Sequence, residues 1–154
     1  MFLDKQTFTA VIDSTPLVSI DLVVEDERGD VLLGERANRP AKGFWFVPGG
    51  RIMKNERLTD AFERLTRDEL GLSVSLAQAE LIGPFEHFYS DYVFGEDVTT
   101  HYVVLGYRIK VKRANLALPT EQHARYHWFT VSELMQSKDV HLHSKWYFDS
   151  ARTE

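Results

Sequence analysis

Glu56, Asp68 and Glu69 are the residues of this chain whose type and spacing best suit chemistry, and all lie in the stretch from Pro48 to Leu72. From Leu58 to Leu70 that stretch reads as a helix, with Gly71 where helices commonly stop. On a wheel of 3.6 residues per turn, Leu58, Ala61, Phe62 and Leu65 form the apolar stripe, and Glu69 falls near its middle. An ionised carboxylate is costly to bury alone, so such a group neutralises, finds a cation or sits at the floor of a polar cleft. With Asp68 beside it and Glu56 in the preceding loop, the simplest cation is a divalent metal held by oxygens. Pro48-Gly49-Gly50 reads as a tight turn whose glycines allow positive φ, close approach of a ligand and main-chain carbonyls free to face a metal.

Other candidates lie outside this stretch. Arg36, Arg39 and Lys42 crowd a turn-rich loop that reads either as plain solvated surface or as a phosphate clamp suited to planar guanidinium groups. Glu121, Gln122 and His123 fall on a loop ahead of a capped helix, where they are ordinary loop polarity or functional groups held on a scaffold. Asp21 interrupts a half-apolar strand face, as an edge position or as something more. Tyr102 is either a core aromatic with a satisfied hydroxyl or a ligand-binding group.

These groups need elements to hold them. Residues 2 to 15, with Phe2, Phe8, Val11 and Ile12, have a helical flavour, end before Pro16 and suggest a packing arm. Residues 17 to 25 are rich in β-branched side chains and predict a strand, with a turn at 26 to 30 and a returning strand at 31 to 36. The pair reads as a hairpin. Residues 44 to 47 predict a buried strand leading into Pro48. A strand through Leu81 and Ile82 is expected to break at Pro84, before an aromatic stretch carrying His87, Phe88 and Tyr89. Residues 99 to 111 form the most strongly strand-like run, ending in a solvated Lys110 to Arg113. A strand around His127 to Phe129 precedes a helix capped by Thr130, with Glu133 at the capping-box position. The segment from His141 to Arg152 reads as a helix whose Leu142, Trp146 and Phe148 dock on the domain or on a second subunit. His141 and His143, two apart on such a helix, do not face each other and are not a metal pair.

Composition sets the outer bounds. A chain of 154 residues with 44% hydrophobic content is long enough for one domain with a core and short for two, so residues 1–154 are expected to form one domain. The net charge of -5, without a dense block of Lys or Arg, argues against nucleic acid and a membrane surface as partners. The absence of cysteine removes disulfides, thiolate metal sites and thiol nucleophiles together. The N-terminal residues carry acids where a signal peptide wants a basic flank, and no apolar run approaches the roughly 20 residues that span a bilayer. A cytoplasmic location is the expectation.

Gly50, Glu56, Arg64, Asp68, Glu69, Gly71 and Leu72 resemble the Nudix box, G-x5-E-x7-R-E-U-x-E-E-x-G-U with U a bulky aliphatic residue. Leu65 stands where the box has Glu, Thr66 where it has an aliphatic residue, and Asp68 where it has the first Glu of the acidic pair. This variant box, following FWFVPGGR, looks like that of the GDP-mannose mannosyl hydrolases. TPLVS, NRPAKGFWFVPGGR, FERLTRDELGL, THYVVLG and EQH extend the resemblance over nearly the whole chain. It implies an α/β fold, the Nudix α/β/α sandwich with a mixed β-sheet and helices on both faces, assembled as a homodimer. It also implies one Mg²⁺ per subunit, replaceable by Mn²⁺, held by the Gly49 carbonyl, Glu69 and Gln122. The general base carries over to His123 and the charge-stabilising set to Asp21, Arg36, Arg51 and Tyr102. Phe2, Leu3 and His87 join Arg36, Arg51 and Tyr102 as substrate-binding residues.

The reaction the resemblance implies is hydrolysis of GDP-mannose, and of GDP-glucose as a second substrate, to GDP and the free sugar. A metal-neutralised diphosphate departs without a strong acid, so the second carboxylic acid usual in a glycosidase is dispensable. The remaining task is water activation, which suits an imidazole titrating near neutrality. The alternatives are an ordinary Nudix pyrophosphatase cleaving a phosphorus-oxygen bond and a non-catalytic nucleotide-binding regulator.

Overall fold

In the computed structural model, residues 2–119 and 123–153 are described, the side chains of His123, Ala124 and Thr153 excepted. One seven-stranded sheet runs β3-β2-β1-β6-β5, with β4 on β1 and β7 on the far side of β2. The strands are β1 (Leu17–Glu25), β2 (Val31–Arg36), β3 (Trp45–Phe46), β4 (Gly49–Arg51), β5 (Glu80–Tyr89), β6 (Thr100–Lys110) and β7 (His123–Phe129). The sheet is mixed, since β1 and β6 are parallel from Leu17 opposite Tyr102 to Glu25 opposite Lys110 while the other pairs are antiparallel. Being central, β1 buries residues on both faces, as a strand covered on both sides must.

Helices cover both faces, as the expected sandwich requires. On one face α2 (Leu58–Leu70) lays Ala61, Phe62, Leu65 and Leu70 against Ile20, Leu22 and Val24 of β1 and Tyr107 and Ile109 of β6. On the other, Leu134 of α3 (Val131–Gln136) and Tyr147, in a short 3-10 turn after α4 (Leu142–Lys145), meet Val23, Leu33 and Val104. The first helix, α1 (Lys5–Ser14), packs Ile12 with Leu17, Tyr92 and Val98 at one end of the sheet. Thr130 caps α3 by accepting from the Glu133 N–H at 3.1 Å. Gly71 ends α2 with φ 69°, the left-handed conformation that costs glycine least.

Several expectations are corrected, among them the single helix from His141 to Arg152, which is instead α4, the 3-10 turn Trp146–Phe148 and α5 (Ser150–Thr153). The hairpin of β1 and β2 is paired only beside its turn, Glu25 opposite Val31; beyond that the strands part and residues 45 to 51 lie between them, β3 on β2 and β4 on β1. Gly49 and Gly50 therefore form a strand rather than a tight turn, and neither has positive φ. Pro84 does not break β5, because β5 is an edge strand that pairs only with β6 and its register shifts at Leu81/Gly83, so the missing N–H costs no ladder bond that the strand needs. Leu58 is exposed, since the stripe turns toward the sheet only from Ala61 onward. Arg113 is not a plain solvated end but ion-pairs with buried Asp26 at 2.6 Å and lies over Trp128.

Candidate functional site

A cleft of about 350 Å³ opens at the end of the sheet where β1, β2 and β4 meet β5 and β6, with α1 along one side. Its floor follows from the register of β4. Leu22 N–H donates to Pro48 O and Ile52 N–H to Val18 O, both at 2.8 Å, and alternation makes Asp21 and Gly49 a non-hydrogen-bonded pair. The N–H and C=O of Gly49 consequently face away from β1, and its Cα lies against the Asp21 side chain. A Cβ at Gly49 would stand 2.5 Å from Asp21 Oδ1 and 2.4 Å from Ile20 O. Close approach, rather than an unusual φ, is what requires glycine there. Gly50 is constrained in the same way by Leu65, whose Cδ2 would lie 2.5 Å from an added Cβ.

Asp21 is partly open to the cleft and accepts a 2.6 Å hydrogen bond from the Tyr147 hydroxyl. Burial raises its pKa to about 6, outweighing the Tyr147 bond and the Arg36 charge that pull it down. Arg36, at the end of β2, donates to Pro40 O at 3.0 Å and lies 4.0 Å over the Phe46 ring. Arg51, at the end of β4, lies 5.0 Å over Phe8 of α1. Among the described residues neither arginine has a carboxylate within ion-pair distance, which leaves both free to receive an anion. Arg39 differs: it also lines the cleft but ion-pairs with Asp91 and Glu96, each at 3.2 Å. Lys42 is exposed and outside the cleft, so the loop of three cations sends only Arg36 and Arg39 toward it.

Glu69 is 4% exposed, as the wheel predicts, and no hydrogen bond or ion pair holds it among the described residues. Burial raises its pKa to about 7, with Asp68 and Asp21 adding to the rise and Arg36 and Arg64 opposing it. The other box acids are differently placed. Glu56 takes two bonds from Arg64, at 2.6 and 2.9 Å, and one from Met53 N–H at 3.0 Å, so its pKa falls despite partial burial. Arg64 also donates to Arg51 O at 2.9 Å, tying helix and loop to β4. Asp68 is largely exposed, 3.8 Å from Arg64. A buried carboxylate without a cation, near a strand whose glycine carbonyl is turned free, fits a hard divalent ion. Among the described residues no three His, Cys, Asp or Glu side chains converge on a metal position.

Gln122 and Glu121 lie outside the described residues. The His123 backbone begins β7 opposite Arg36, where the register shifts, rather than sitting on a free loop as expected. Strand pairing thus places residue 123 beside the cleft's central arginine. Tyr102 lines the cleft and pairs with His87 across β5 and β6. Burial raises its hydroxyl pKa against the pull of Arg36 and Arg51. His87 also lines the cleft, 3% exposed, and burial lowers its pKa to about 3. Phe2 is fully exposed, and neither it nor Leu3 lines the cleft; Phe8 and Ile12, further along the same segment, do.

Phe8, Tyr89 and Tyr147 stand outside the expected site residues. Tyr89 had a signal, since strand alternation from His87 points it to the same face. Tyr147 had none, being 126 residues from Asp21. His141 and His143 do meet, against expectation, because His141 is the N-cap of α4 and lies outside its helical turn. The His143 N–H donates to His141 Nδ1 at 3.1 Å, and the rings are 4.4 Å apart.

Comparison with known proteins agrees with the fold. A low-salt glycan biosynthesis protein, Agl8 of Haloferax volcanii, is 46% identical over 114 residues, which is 73% of this chain and 70% of that protein. Human NUDT18, an 8-oxo-dGDP phosphatase, is 37% identical over 46 residues, 30% of this chain and 14% of that protein. Among solved structures, a MutT protein from Methanosarcina mazei Go1 superposes with TM-score 0.70 at 18% identity, covering 88% of this chain and 92% of that one. The NUDIX domain of Shewanella oneidensis NrtR, solved with ADP ribose, gives TM-score 0.64 at 19% identity, over 95% and 97% of the two chains. The model of the NUDIX domain matches residues 15–149, and on that match the chain belongs to the NUDIX domain family.

Proposed function

We propose that this Nudix hydrolase cleaves GDP-mannose, with GDP-glucose as a second substrate, to GDP and the free sugar by attack of water at the anomeric carbon with inversion. The observation that carries the reading is the state of the box acids. Glu56 is consumed by Arg64, Asp68 faces solvent, and Leu65 occupies a core position, which leaves Glu69 as the one buried box carboxylate without a cation. A pyrophosphatase needs several carboxylates around phosphorus to position its water. One carboxylate suits charge neutralisation of a leaving diphosphate. The name of the Agl8 relative, which ties it to glycan biosynthesis, supports the sugar half of the substrate, and the ADP ribose held by the NrtR domain supports a sugar joined to a nucleoside diphosphate.

Enzymes of this family generally use divalent metals such as Mg²⁺. Glu69, the Gly49 carbonyl and Gln122 would hold Mg²⁺, or Mn²⁺ in its place, all of them hard oxygen donors. When bound, the ion supplies positive charge to the departing diphosphate. Arg36 and Arg51, without a carboxylate partner among the described residues, donate to phosphate oxygens, and the Tyr102 hydroxyl, kept protonated by its raised pKa, donates as well. Asp21 stabilises positive charge developing on the sugar, its carboxylate oriented by Tyr147. His123 takes the proton of the attacking water on the face of the sugar opposite the diphosphate.

Hydrolysis in ¹⁸O-water tests the reading. Label is expected in the sugar and absent from GDP, with the β anomer seen first by NMR before mutarotation. Label in a phosphate product would make the chain a pyrophosphatase.

A further inference from the structure

His87 meets the cleft with one edge and a wall of rings with its face. Its imidazole is stacked on His143, centroids 4.2 Å apart and planes within 12°. Trp146 leans on both, 4.8 Å from His143 and 5.8 Å from His87, and the edge of Tyr89 meets His143 at 4.9 Å. His143 is 6% exposed and follows the N-cap of a helix of only one turn, so its position is set by packing and by its bond to His141. Nothing in the proposed reaction uses it.

We propose that His143 is a positioning residue, its stacked ring fixing the orientation of His87 against the cleft and keeping water from the buried face of that imidazole. The surroundings of the pair support this. Among the described residues, His87 Nε2 and His143 Nδ1 are buried without a hydrogen-bond partner, so no acceptor stands ready for a second ring proton. The charged groups that bear on His87 are Arg36 of β2, His141 at the start of α4 and His143 itself, all cations when ionised. The remaining groups packed around it, Tyr102 of β6, Tyr89 of β5 and Trp146 and Tyr147 after α4, carry no charge, and the Asp21 carboxylate is occupied by Tyr147. Burial first, and these cations second, hold both His87 and His143 near pKa 3. A proton on either ring would meet a parallel imidazole and an arginine with no anion between them.

The consequence for substrate class rests on the cleft being the substrate site. His87 then offers a neutral imidazole, a hydrogen-bonding group for an uncharged hydroxyl. The phosphate charge is left to Arg36 and Arg51, and the cleft is divided into an anionic-ligand side and a polyol side.

Imidazole NMR of the full chain between pH 5 and 8, with the His87 signals assigned by their loss in His87→Gln, tests the role without any substrate. In the wild type His87 should take up no proton across this range. His143→Ala opens the buried face, and the His87 pKa should then rise into the window, toward the ordinary value of about 6.5. His143→Phe restores a flat ring without a titrating group and should return His87 to the untitrated state. A wild-type His87 that titrates near neutrality overturns the proposal, as does a His143→Ala variant in which His87 stays untitrated, or a His143→Phe variant that behaves like His143→Ala. If circular dichroism shows His143→Ala to be unfolded, His143→Asn takes its place with the same outcomes, and the wild-type titration decides independently. Loss of the proposed hydrolase reading would leave these titrations unchanged, so the two failures are distinguishable.

Discussion

Asp26 and Glu69 are buried to nearly the same degree, 5% and 4% exposed, yet they are opposite kinds of carboxylate. Asp26, at the turn between β1 and β2, accepts from Arg28 N–H and Asp30 N–H at 2.9 Å each and from Arg113 at 2.6 and 3.0 Å. Desolvation pushes its pKa up, but those bonds and the Arg113 charge together bring it below the ordinary carboxylate value. Glu69, in the last turn of α2, lies deeper among protein atoms, is more strongly desolvated and has none of those partners, and its pKa goes the other way, to about 7. Low exposure alone therefore does not identify a functional acid. The informative quantity is whether the protein supplies the cation itself: at Asp26 it does, closing β1 against the segment after β6, and at Glu69, among the described residues, it does not.

The largest expected break of this comparison is in activity. Glu69→Gln should lower turnover by more than about 100-fold with Mg²⁺ present, since loss of residues that merely support a metal ligand already costs 10–100-fold. Divalent affinity, measured by isothermal calorimetry, should fall in parallel while the circular dichroism spectrum stays native. Near-normal metal affinity would remove Glu69 from the ligand set. Asp26→Asn should do the reverse, leaving kcat within about 2-fold but lowering unfolding stability by roughly 2 to 3 kcal/mol in urea, because the amide oxygen still accepts from the turn N–H groups at Oδ1 while an uncharged NH2 replaces the Oδ2 acceptor of Arg113. An Asp26→Asn enzyme that folds normally but is inactive would contradict the division of roles. Glu56→Gln lies between, since it weakens the clamp on Arg64 that ties α2 to β4 without removing a ligand. About 10-fold loss of kcat/KM is expected there, and a loss larger than that of Glu69→Gln would reverse the ranking of the two acids.

How much of this was readable beforehand depended on the distance over which each feature is determined. The bounds of β1, α2 and β2, the Thr130 cap and the burial of Glu69 follow from short-range period and cap chemistry, and they hold as expected. Most of the misses are cases where a distant segment decides. Gly49 and Gly50 read as a turn because glycines usually mark one. Their actual cause is the approach of Asp21 from β1 and of Leu65 from α2. Pro84 reads as a break unless β5 is known to be an edge. The contact of Asp21 with Tyr147 spans 126 residues and that of Asp26 with Arg113 spans 87, so neither leaves a local pattern. Gln122 and the His123 side chain, the other half of the proposed chemistry, lie outside what the structure describes, and residue 123 is placed only by its backbone pairing with Arg36.

The last and smallest effect separates the two acids by pH. A carboxyl whose pKa is higher in the folded chain binds its proton more tightly there, so it contributes most below the unfolded value and its contribution is lost as pH rises through the folded one. For Glu69 that window runs from about 4.5 to about 7, and Asp21 adds a similar loss between about 3.8 and 6. His87, His141 and His143, whose pKa values are lowered to between about 3 and 4, act in the opposite direction, removing stability as pH falls below about 6.5. The two trends overlap, so a wild-type stability curve does not isolate either. The difference between Glu69→Gln and the wild type does, because the histidines and Asp21 are common to both. In metal-free buffer the variant should gain on the wild type as pH rises from about 4.5 to 7, by roughly 1 to 2 kcal/mol, and the difference should level off above that range. Adding Mg²⁺ at pH 8 should then stabilise the wild type and leave Glu69→Gln unmoved, reversing their order. A difference that stayed flat with pH would mean that Glu69 already has its partner within the chain, and the contrast with Asp26 would fail.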